Sequence, residues 1–321
     1  MNLSGFIKKI KITFLTFMAL TGCSSSNDSI DTILTPIPPE VIICGIINHN
    51  NTSSSNLDET IELPLLEEVY ANFEEYTTNK DAASFNSILL HNSIPLFITG
   101  KETTGIVSLT MNGPQFVNYI INDPNPHELR ISNTEFSIFK GVATSWANYE
   151  EVIGTSTVGT GIDLFFYVNT NDGWKLTTTN NTYTLTGDTT DYETLAPMNI
   201  EPSVTLNNMI TAFNSENKTN FLNAFKNESS FFLLSSVFTG SYSNNIHSPE
   251  AFIDCAMDST TSFSLSISNE EIEIRDQYLA KVIADYSIAQ NSTEIESGKM
   301  VLTMIGTPTG GWKISAAAFT Y

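Results

Sequence analysis

The apolar positions of the chain follow a helical period soon after residue 60, and the same period returns near residue 203. Leu65, Val69 and Phe73 recur every four residues, which places them on one face of an amphipathic helix. The second stretch has its apolar positions at Leu206, Met209, Ile210 and Phe213. The pattern therefore predicts a first helix in each half of the chain.

A second short helix and an apolar strand are predicted to follow each first helix. Asp81 stands ahead of one apolar set as an N-cap would, and Thr219 stands ahead of the other. Continuous apolar runs then cover residues 94–99 and 231–238, as expected for buried strands.

A third helix and three final strands complete the predicted order in each half. The third helices begin at Pro114 and Pro249, because proline at the first helical position forfeits no helical hydrogen bond. The last two strands are joined by turns at 171–173 and 307–311, where glycine supplies a positive φ.

The two halves also share sequence, in the same order and at a nearly constant spacing. The offset between matching segments grows only from 135 to 138 residues. The matched pairs are 113–120 with 248–255, 131–138 with 267–274, 143–149 with 280–286, and 173–176 with 311–314. Two copies of one domain are predicted, copy one over 61–186 and copy two over 203–321, with a linker over 187–202.

Three helices followed by a curved antiparallel sheet, with a final strand that starts Gly-Trp-Lys at Gly173 and at Gly311, resemble the NTF2-like (SnoaL-like) family. The resemblance implies an α+β fold of two tandem cone domains. In each cone three helices cover one face of the sheet and enclose a pocket. Members of the family commonly dimerise through the sheet, so the two copies are expected to form an intramolecular pseudo-dimer.

The first 22 residues have the parts of a secretory signal. Lys8, Lys9 and Lys11 precede an apolar run that is too short to span a membrane, and small residues lead to Cys23. Leu20-Thr21-Gly22-Cys23 resembles the bacterial lipobox, which implies a lipid such as palmitate on the Cys23 thiol. A retained transmembrane helix and a coincidental cysteine are the alternatives. Ser24, rather than an acidic residue, follows the cysteine, which implies the cell outer membrane by resemblance to other lipoproteins.

Residues 23–60 are predicted to be a flexible tether, rich in Asn, Ser, Thr and Pro. The apolar island 41–47 within it is expected to add an edge strand to the first domain or to bind a partner. Cys44 and Cys255 could pair in an oxidising compartment, but a buried free thiol is the preferred interpretation for Cys255. No cofactor and no metal site is predicted from the cysteine and histidine spacing.

The acidic balance excludes one class of partner. The full chain has a net charge of −21, and removal of residues 1–22 leaves 11 basic against 35 acidic side chains, or −24. Such a charge opposes binding to phosphate backbones, so nucleic-acid binding is not expected.

Candidates for chemistry lie at scattered positions, and no two have a diagnostic spacing. Family enzymes place an Asp, His or Tyr inside the cone, and a carboxyl group there needs a raised pKa. The candidates in copy one are Tyr70, Tyr76, His91, His127, Trp146, Tyr149 and Asp163, and those in copy two are His247, Glu273, Asp285 and Tyr286. His127 follows Asn125-Pro126 and is interpreted as a loop residue. Tyr149 and Tyr286 occupy matching positions, as do Trp174 and Trp312. Core packing is the preferred explanation, and pocket walls that stack on an apolar ligand are the alternative.

Three functions remain open at this point. The leading hypothesis is a membrane-anchored extracytoplasmic lipoprotein that binds a ligand or a partner without catalysis. The alternative is a SnoaL-like isomerase, cyclase or hydrolase that acts on a small apolar molecule. A third is a structural surface protein whose cones are filled by its own side chains, and filled cones would argue against both ligand-dependent hypotheses.

Overall fold

The computed structural model describes residues 58–90, 94–102, 105–122, 124–170, 172–235, 243–257 and 262–320. The signal, most of the tether, the island 41–47 and His91 lie outside the described residues, as do the side chains of Cys44, His247 and Cys255. Among the described residues, no helix is both long and apolar enough to cross a membrane.

The described residues of copy one form three helices and six strands in the order ααββαββββ. The helices are α1 (Glu59–Thr78), α2 (Ala82–Ile88) and α3 (Gly113–Asn122). The strands are β1 (Pro95–Glu102), β2 (Gly105–Asn112), β3 (His127–Phe139), β4 (Val142–Ile153), β5 (Ser156–Thr170) and β6 (Gly173–Leu185).

A short helix, α4 (Tyr192–Leu195), stands in the linker, and copy two then repeats the same order of elements. Its helices are α5 (Pro202–Asn214), α6 (Lys218–Asn223) and α7 (Pro249–Met257). Its strands are β7 (Phe225–Ser235), β8 (Ser243–His247), β9 (Phe263–Arg275), β10 (Leu279–Gln290), β11 (Thr293–Gly306) and β12 (Trp312–Thr320).

Local signals explain where several helices begin. The Asp81 carboxylate accepts a hydrogen bond from the backbone N–H of Ser84, which confirms it as the N-cap of α2. Asn217, and not Thr219, caps α6 in the same way, through the N–H of Asn220. At the start of α3 the side chains of Asn112 and Gln115 each accept from the other residue's backbone N–H.

Each copy forms one six-stranded sheet, and the two sheets have the same strand order, β2-β1-β6-β5-β4-β3 and β8-β7-β12-β11-β10-β9. The first strand of each copy runs parallel to the last, and the other pairs are antiparallel. The α+β class and the repeated architecture expected from the sequence are confirmed. The expected strand count was wrong: four strands, not three, follow the third helix, and β2 and β8 were not predicted.

Both faces of each sheet are apolar, and they are covered in different ways. The helices pack on one face, where Phe165 and Tyr167 of β5 meet Leu66 and Phe73 of α1. The opposite faces of the two sheets pack on each other. Residues of both copies share two buried clusters there: Val142, Phe166 and Val168 with Val301, Ala316 and Ala318, and Phe97, Trp146 and Leu164 with Leu279 and Ile305.

Polar contacts surround this shared core. Arg275 of copy two forms an ion pair with Glu135 of copy one at 2.6 Å, and its guanidinium lies 4.9 Å from the ring centroid of Trp146. Lys101 of copy one pairs with Asp276 of copy two, and Lys281 donates to Ser137. The contact between the copies therefore combines an apolar centre with a charged border.

Because the shared core draws on both copies, we expect them to unfold together. Phe166→Ala should lower the free energy of unfolding by about 3–5 kcal/mol, because it leaves a cavity between the sheets. In urea titrations, tryptophan fluorescence and far-ultraviolet circular dichroism should report one coincident transition in both proteins. Ile61→Ala is the matched control, since Ile61 is exposed on α1. Two separate transitions in the unmodified chain would contradict the prediction.

Candidate functional site

A buried carboxyl group lies at the centre of the helix-covered face of the copy-one sheet. Side chains alternate along β5, so Asp163 faces the same side as Phe165 and Tyr167, towards α1. Its Oδ2 accepts a hydrogen bond from the Tyr70 hydroxyl at 2.9 Å, and its Oδ1 accepts one from the Asn181 amide. We call Tyr70, Asp163 and Asn181 the Asp163 cluster.

Burial controls the protonation of this cluster. Asp163 is only 3% exposed, and loss of hydration raises the pKa of its carboxyl group to about 7. The hydrogen bonds from Tyr70 and Asn181 act in the opposite direction but do not offset the burial. Burial, and then the nearby Asp163, raises the pKa of the Tyr70 hydroxyl well above its usual value. The cluster therefore has an acid that exchanges its proton near neutral pH beside a hydroxyl that stays protonated.

Tyr149 lies on the same face, one strand away, and a glycine makes room for it. Its hydroxyl donates to the carbonyl oxygen of Thr182 at 2.6 Å. A Cβ on Gly161 would lie 2.7 Å from the Tyr149 ring and 1.8 Å from that carbonyl, so only glycine fits there. Burial, and then Asp163, raises the pKa of Tyr149. The ring is thus fixed next to the Asp163 cluster.

A second polar group, the His127 cluster, lies further along the same face and consists of His127, Glu151 and Tyr183. His127 Nδ1 lies 3.2 Å from Glu151 Oε1, and both side chains are buried. Tyr183 hydrogen-bonds Glu151, and its pKa is raised by burial and then by that carboxylate. The interpretation of His127 as a loop residue was wrong. It begins β3, because its pairing with Ile153 and its contact with Glu151 override the turn signal of the preceding proline.

Copy two has apolar residues at the positions of both clusters, except that Tyr183 matches another tyrosine. Asp163 pairs with Ala147 and Asn181, whereas the matching Met300 pairs with Ala284 and Phe319. By the same strand registers, His127 and Glu151 correspond to Phe263 and Ile288.

The helices extend this comparison to Tyr70. Thr78 and Asn214 accept from the backbone N–H groups of Leu129 and Leu265, so the end of the first helix is equivalent in the two copies, and the residue that matches Tyr70 is the buried Leu206. At one position the polar residue is in copy two instead of copy one. Glu296 stands at the position of Gly159 and accepts a hydrogen bond from Tyr286 at 2.5 Å. The helix-covered interior is therefore more polar in copy one than in copy two.

Aromatic side chains occupy both interiors. The rings of Tyr70 and Phe73 each lie 4.8 Å from that of Phe165, and in copy two Phe231 stacks on Phe252 at 4.4 Å. A cavity among α1, α2 and α3, partly lined by Tyr76, has a volume of only about 10 Å³. A bound molecule would have to displace side chains to reach Asp163.

Three of the remaining candidates, Trp146, Glu273 and Asp285, lie away from these interiors. Trp146 faces the other sheet, and Glu273 pairs with Lys281 at 2.8 Å at the border between the copies. Asp285 is at the surface, where Asn269 and Lys299 lower the pKa of its carboxyl group. His247 ends β8. No group of three His, Cys, Asp or Glu side chains that could hold a metal ion occurs in the described part of the chain.

Asn181, Glu151 and Tyr183 were not among the residues predicted from the sequence. A signal for Asn181 and Glu151 was present in the repeat. At the offsets of 137 and 138 residues, Glu151 and Asn181 stand opposite Ile288 and Phe319, and a polar residue matched to an apolar core position indicates a specialised site. Tyr183 carries no such signal, because it matches another tyrosine, Tyr321.

Comparison with known proteins yields similarity of structure only. No protein-family model matches the sequence, and no curated protein does. An NTF2-like protein from Cytophaga hutchinsonii is 14% identical, with 38% of this chain and 98% of that chain covered and a TM-score of 0.33. An NTF2-like protein of unknown function from Shewanella baltica is 15% identical, with 42% and 98% covered and the same TM-score. An NTF2-like protein with a cystatin-like fold from Novosphingobium aromaticivorans is 11% identical, with 42% and 89% covered, again at 0.33.

The raised pKa of Asp163 predicts how stability depends on pH. Between the ordinary carboxyl pKa of 3.8 and the folded-state value of about 7, the folded chain holds a proton that the unfolded chain has released. Stability from this group is therefore full below about pH 4 and falls as the pH rises to 7, by an amount on the order of 4 kcal/mol. Asp163→Asn should remove this decline, which urea titrations at several pH values would measure.

Asp285→Asn is the matched control. Its carboxyl pKa is lowered in the folded state, so the contribution of Asp285 is present above pH 3.8 and is lost as the pH falls further. Removing Asp285 should leave the decline between pH 4 and 7 in place. If Asp163→Asn keeps the decline of the unmodified chain, then Asp163 is ionised in the fold and our assignment is wrong.

Proposed function

We propose that this chain is a lipid-anchored protein of the cell envelope that binds a protein partner through its folded surface and performs no catalysis. The observation that supports this proposal most directly is the close packing of aromatic rings in both interiors. Rings in contact at 4.8 Å in copy one and 4.4 Å in copy two occupy the space in which a cone domain would hold a small ligand. The outer surface is then the part of the protein that can bind a partner.

The anchor follows from the lipobox-like Leu20-Thr21-Gly22-Cys23, with the lipid on Cys23 and the outer membrane as destination. Two NTF2-like copies, joined as an intramolecular pseudo-dimer, form the folded part that the tether carries. The apolar contacts of Phe166 and Val142 with Val301 and Ala318 support the pseudo-dimer. Because each copy covers one sheet face of the other, a partner would bind to the surface that remains exposed.

The Asp163 cluster favours a second candidate, an enzyme of isomerase, cyclase or hydrolase type that acts on a small apolar molecule. A carboxyl group with a pKa of about 7 beside a tyrosine hydroxyl can accept or donate a proton near neutral pH. Copy two folds with Met300 and Phe319 at the matching positions, so folding alone does not require the cluster. This candidate requires the helices of copy one to open.

The anchor is tested by Cys23→Ser in the native host. The unmodified protein should sediment with the membranes and have an intact mass that includes a lipid, whereas the variant should appear in the extracytoplasmic soluble fraction without it. Cys44→Ser is the matched control and should retain both the lipid and the membrane location. Lipid on the Cys23→Ser chain would contradict the proposal.

The two candidate functions predict different molecules bound to the purified protein: a protein partner for the first and a small molecule for the second. Cross-linking in intact cells, followed by purification and mass spectrometry, should recover a protein partner in defined ratio, and Asp163→Asn should not reduce its yield. Native mass spectrometry of the same preparation tests for a small molecule. A bound compound that is lost with Asp163→Asn but kept with Met300→Leu would instead support the second candidate.

A further inference from the structure

An open groove lies where the linker runs along copy two. It has a volume of about 290 Å³, and its lining includes Met198, Ile200, Ile274 and Trp312, with the carboxylates of Glu193 and Glu201. We call it the linker groove. It lies outside both helix-covered interiors, and the second candidate function makes no use of it.

Exposed apolar side chains concentrate around this groove. In the described part of the chain, the exposed large apolar residues are Ile61, Leu65, Ile121, Leu195, Ile200, Val204 and Ile274. Ile200 and Ile274, each 43% exposed, line the groove. Leu195 and Val204 flank its lining residues in sequence. An apolar patch with a polar border is typical of a protein-binding site.

Hydrogen bonds hold the groove open. The Trp312 indole N–H donates to the Ile200 carbonyl at 2.8 Å, and the Asn199 N–H donates to the Gly310 carbonyl at 2.9 Å. The Tyr278 hydroxyl donates to the Ala196 carbonyl at 2.9 Å. These bonds fix the linker backbone and leave the Ile200 side chain at the surface, so the groove is preformed for a partner.

Copy one has a different arrangement at the matching tryptophan. The Trp174 indole N–H donates to the Glu62 carboxylate of α1 at 2.7 Å, so a polar side chain of copy one itself covers this edge. In copy two the partner of Trp312 is a backbone carbonyl, and an apolar side chain is presented instead. The groove is thus a feature of copy two and the linker, and not of the domain as such.

We propose that the linker groove binds an extended segment of a protein partner in which an apolar side chain stands between basic residues. The lining includes two carboxylates and no basic residue, so its charge complements lysine or arginine. The groove is open, and two further exposed apolar residues, Leu195 and Val204, lie within three sequence positions of its lining residues, which suits a peptide segment better than a small molecule. This inference deepens the proposed partner binding and depends on it.

The probe is a panel of end-capped peptides in which Val, Leu, Ile, Met, Phe or Trp stands between two lysines. Titration calorimetry with the full lipid-free chain, Cys23→Ser, should show binding for at least one apolar residue. Replacing the lysines with glutamates, or the apolar residue with serine, should weaken binding by about tenfold or more. Glu193→Gln with Glu201→Gln should make the remaining binding less sensitive to salt.

Ile200→Ser and Ile274→Ser should each weaken binding of the best peptide by about tenfold. Leu65→Ser is the matched control, because Leu65 is similarly exposed but lies on α1 of copy one, and it should not change the affinity. Equal binding of the acidic peptides, no binding of any peptide, or full binding by Ile200→Ser would overturn the inference. The inference would also be overturned if the chain self-associates or binds vesicles and Ile200→Ser abolishes this. The groove would then bind a second copy of the chain or a membrane.

The cross-linking experiment separates this inference from the proposed function. A partner recovered equally with Ile200→Ser and with the unmodified chain would refute the linker groove while the partner-binding proposal stands. Failure to recover any partner with either protein would refute the proposed function itself.

Discussion

The structure depends on the fact that each six-stranded sheet has two apolar faces, of which one layer of helices can cover only one. The other face, with Phe166 in copy one and Val301 in copy two, would be exposed in an isolated copy. Burial of that face between the sheets removes a large apolar area from water, at roughly 25 cal/mol per Å². Each sheet therefore needs a second layer on this face, and the doubled sequence supplies that layer within one chain. It also explains why Trp146, a candidate for chemistry, is a packing residue beneath Arg275.

The two copies provide an internal control for the polar clusters, since both fold on the same strand order with different interiors. Burying a carboxyl group costs free energy unless it is neutralised or well paired, and Asp163 meets this cost by a raised pKa and two hydrogen bonds. Met300 fills the matching place without such a cost. Packing thus accounts for the interior of copy two, whereas copy one keeps an arrangement that packing alone would not select.

Much of the fold could be predicted because its signals are local or repeated. The Asp81 cap, the helical period of α1 and the constant offset each depend on a few neighbouring residues or on self-comparison. The edge strands β2 and β8 were not predicted, because they lack the continuous apolar run by which buried strands are recognised. Asp163 was a candidate, but its contact with Tyr70 joins residues 93 positions apart, and its burial depends on the whole helix layer. Such properties arise from tertiary packing, which residue type does not encode.

Two of the three one-residue steps in the offset between the copies have a structural cause that connects the linker to the rest of the molecule. The turn 276–278 of copy two is one residue longer than the turn 140–141 of copy one, and the loop between β11 and β12 is also longer than its counterpart. Asp276 and Tyr278 in the first turn contact Lys101 and the linker residue Tyr192, while Gly310 in the second binds Asn199. Both insertions thus lie where copy two holds the linker. A linker serving only as a spacer would need no such contacts, so these insertions favour a linker surface that has been shaped together with copy two.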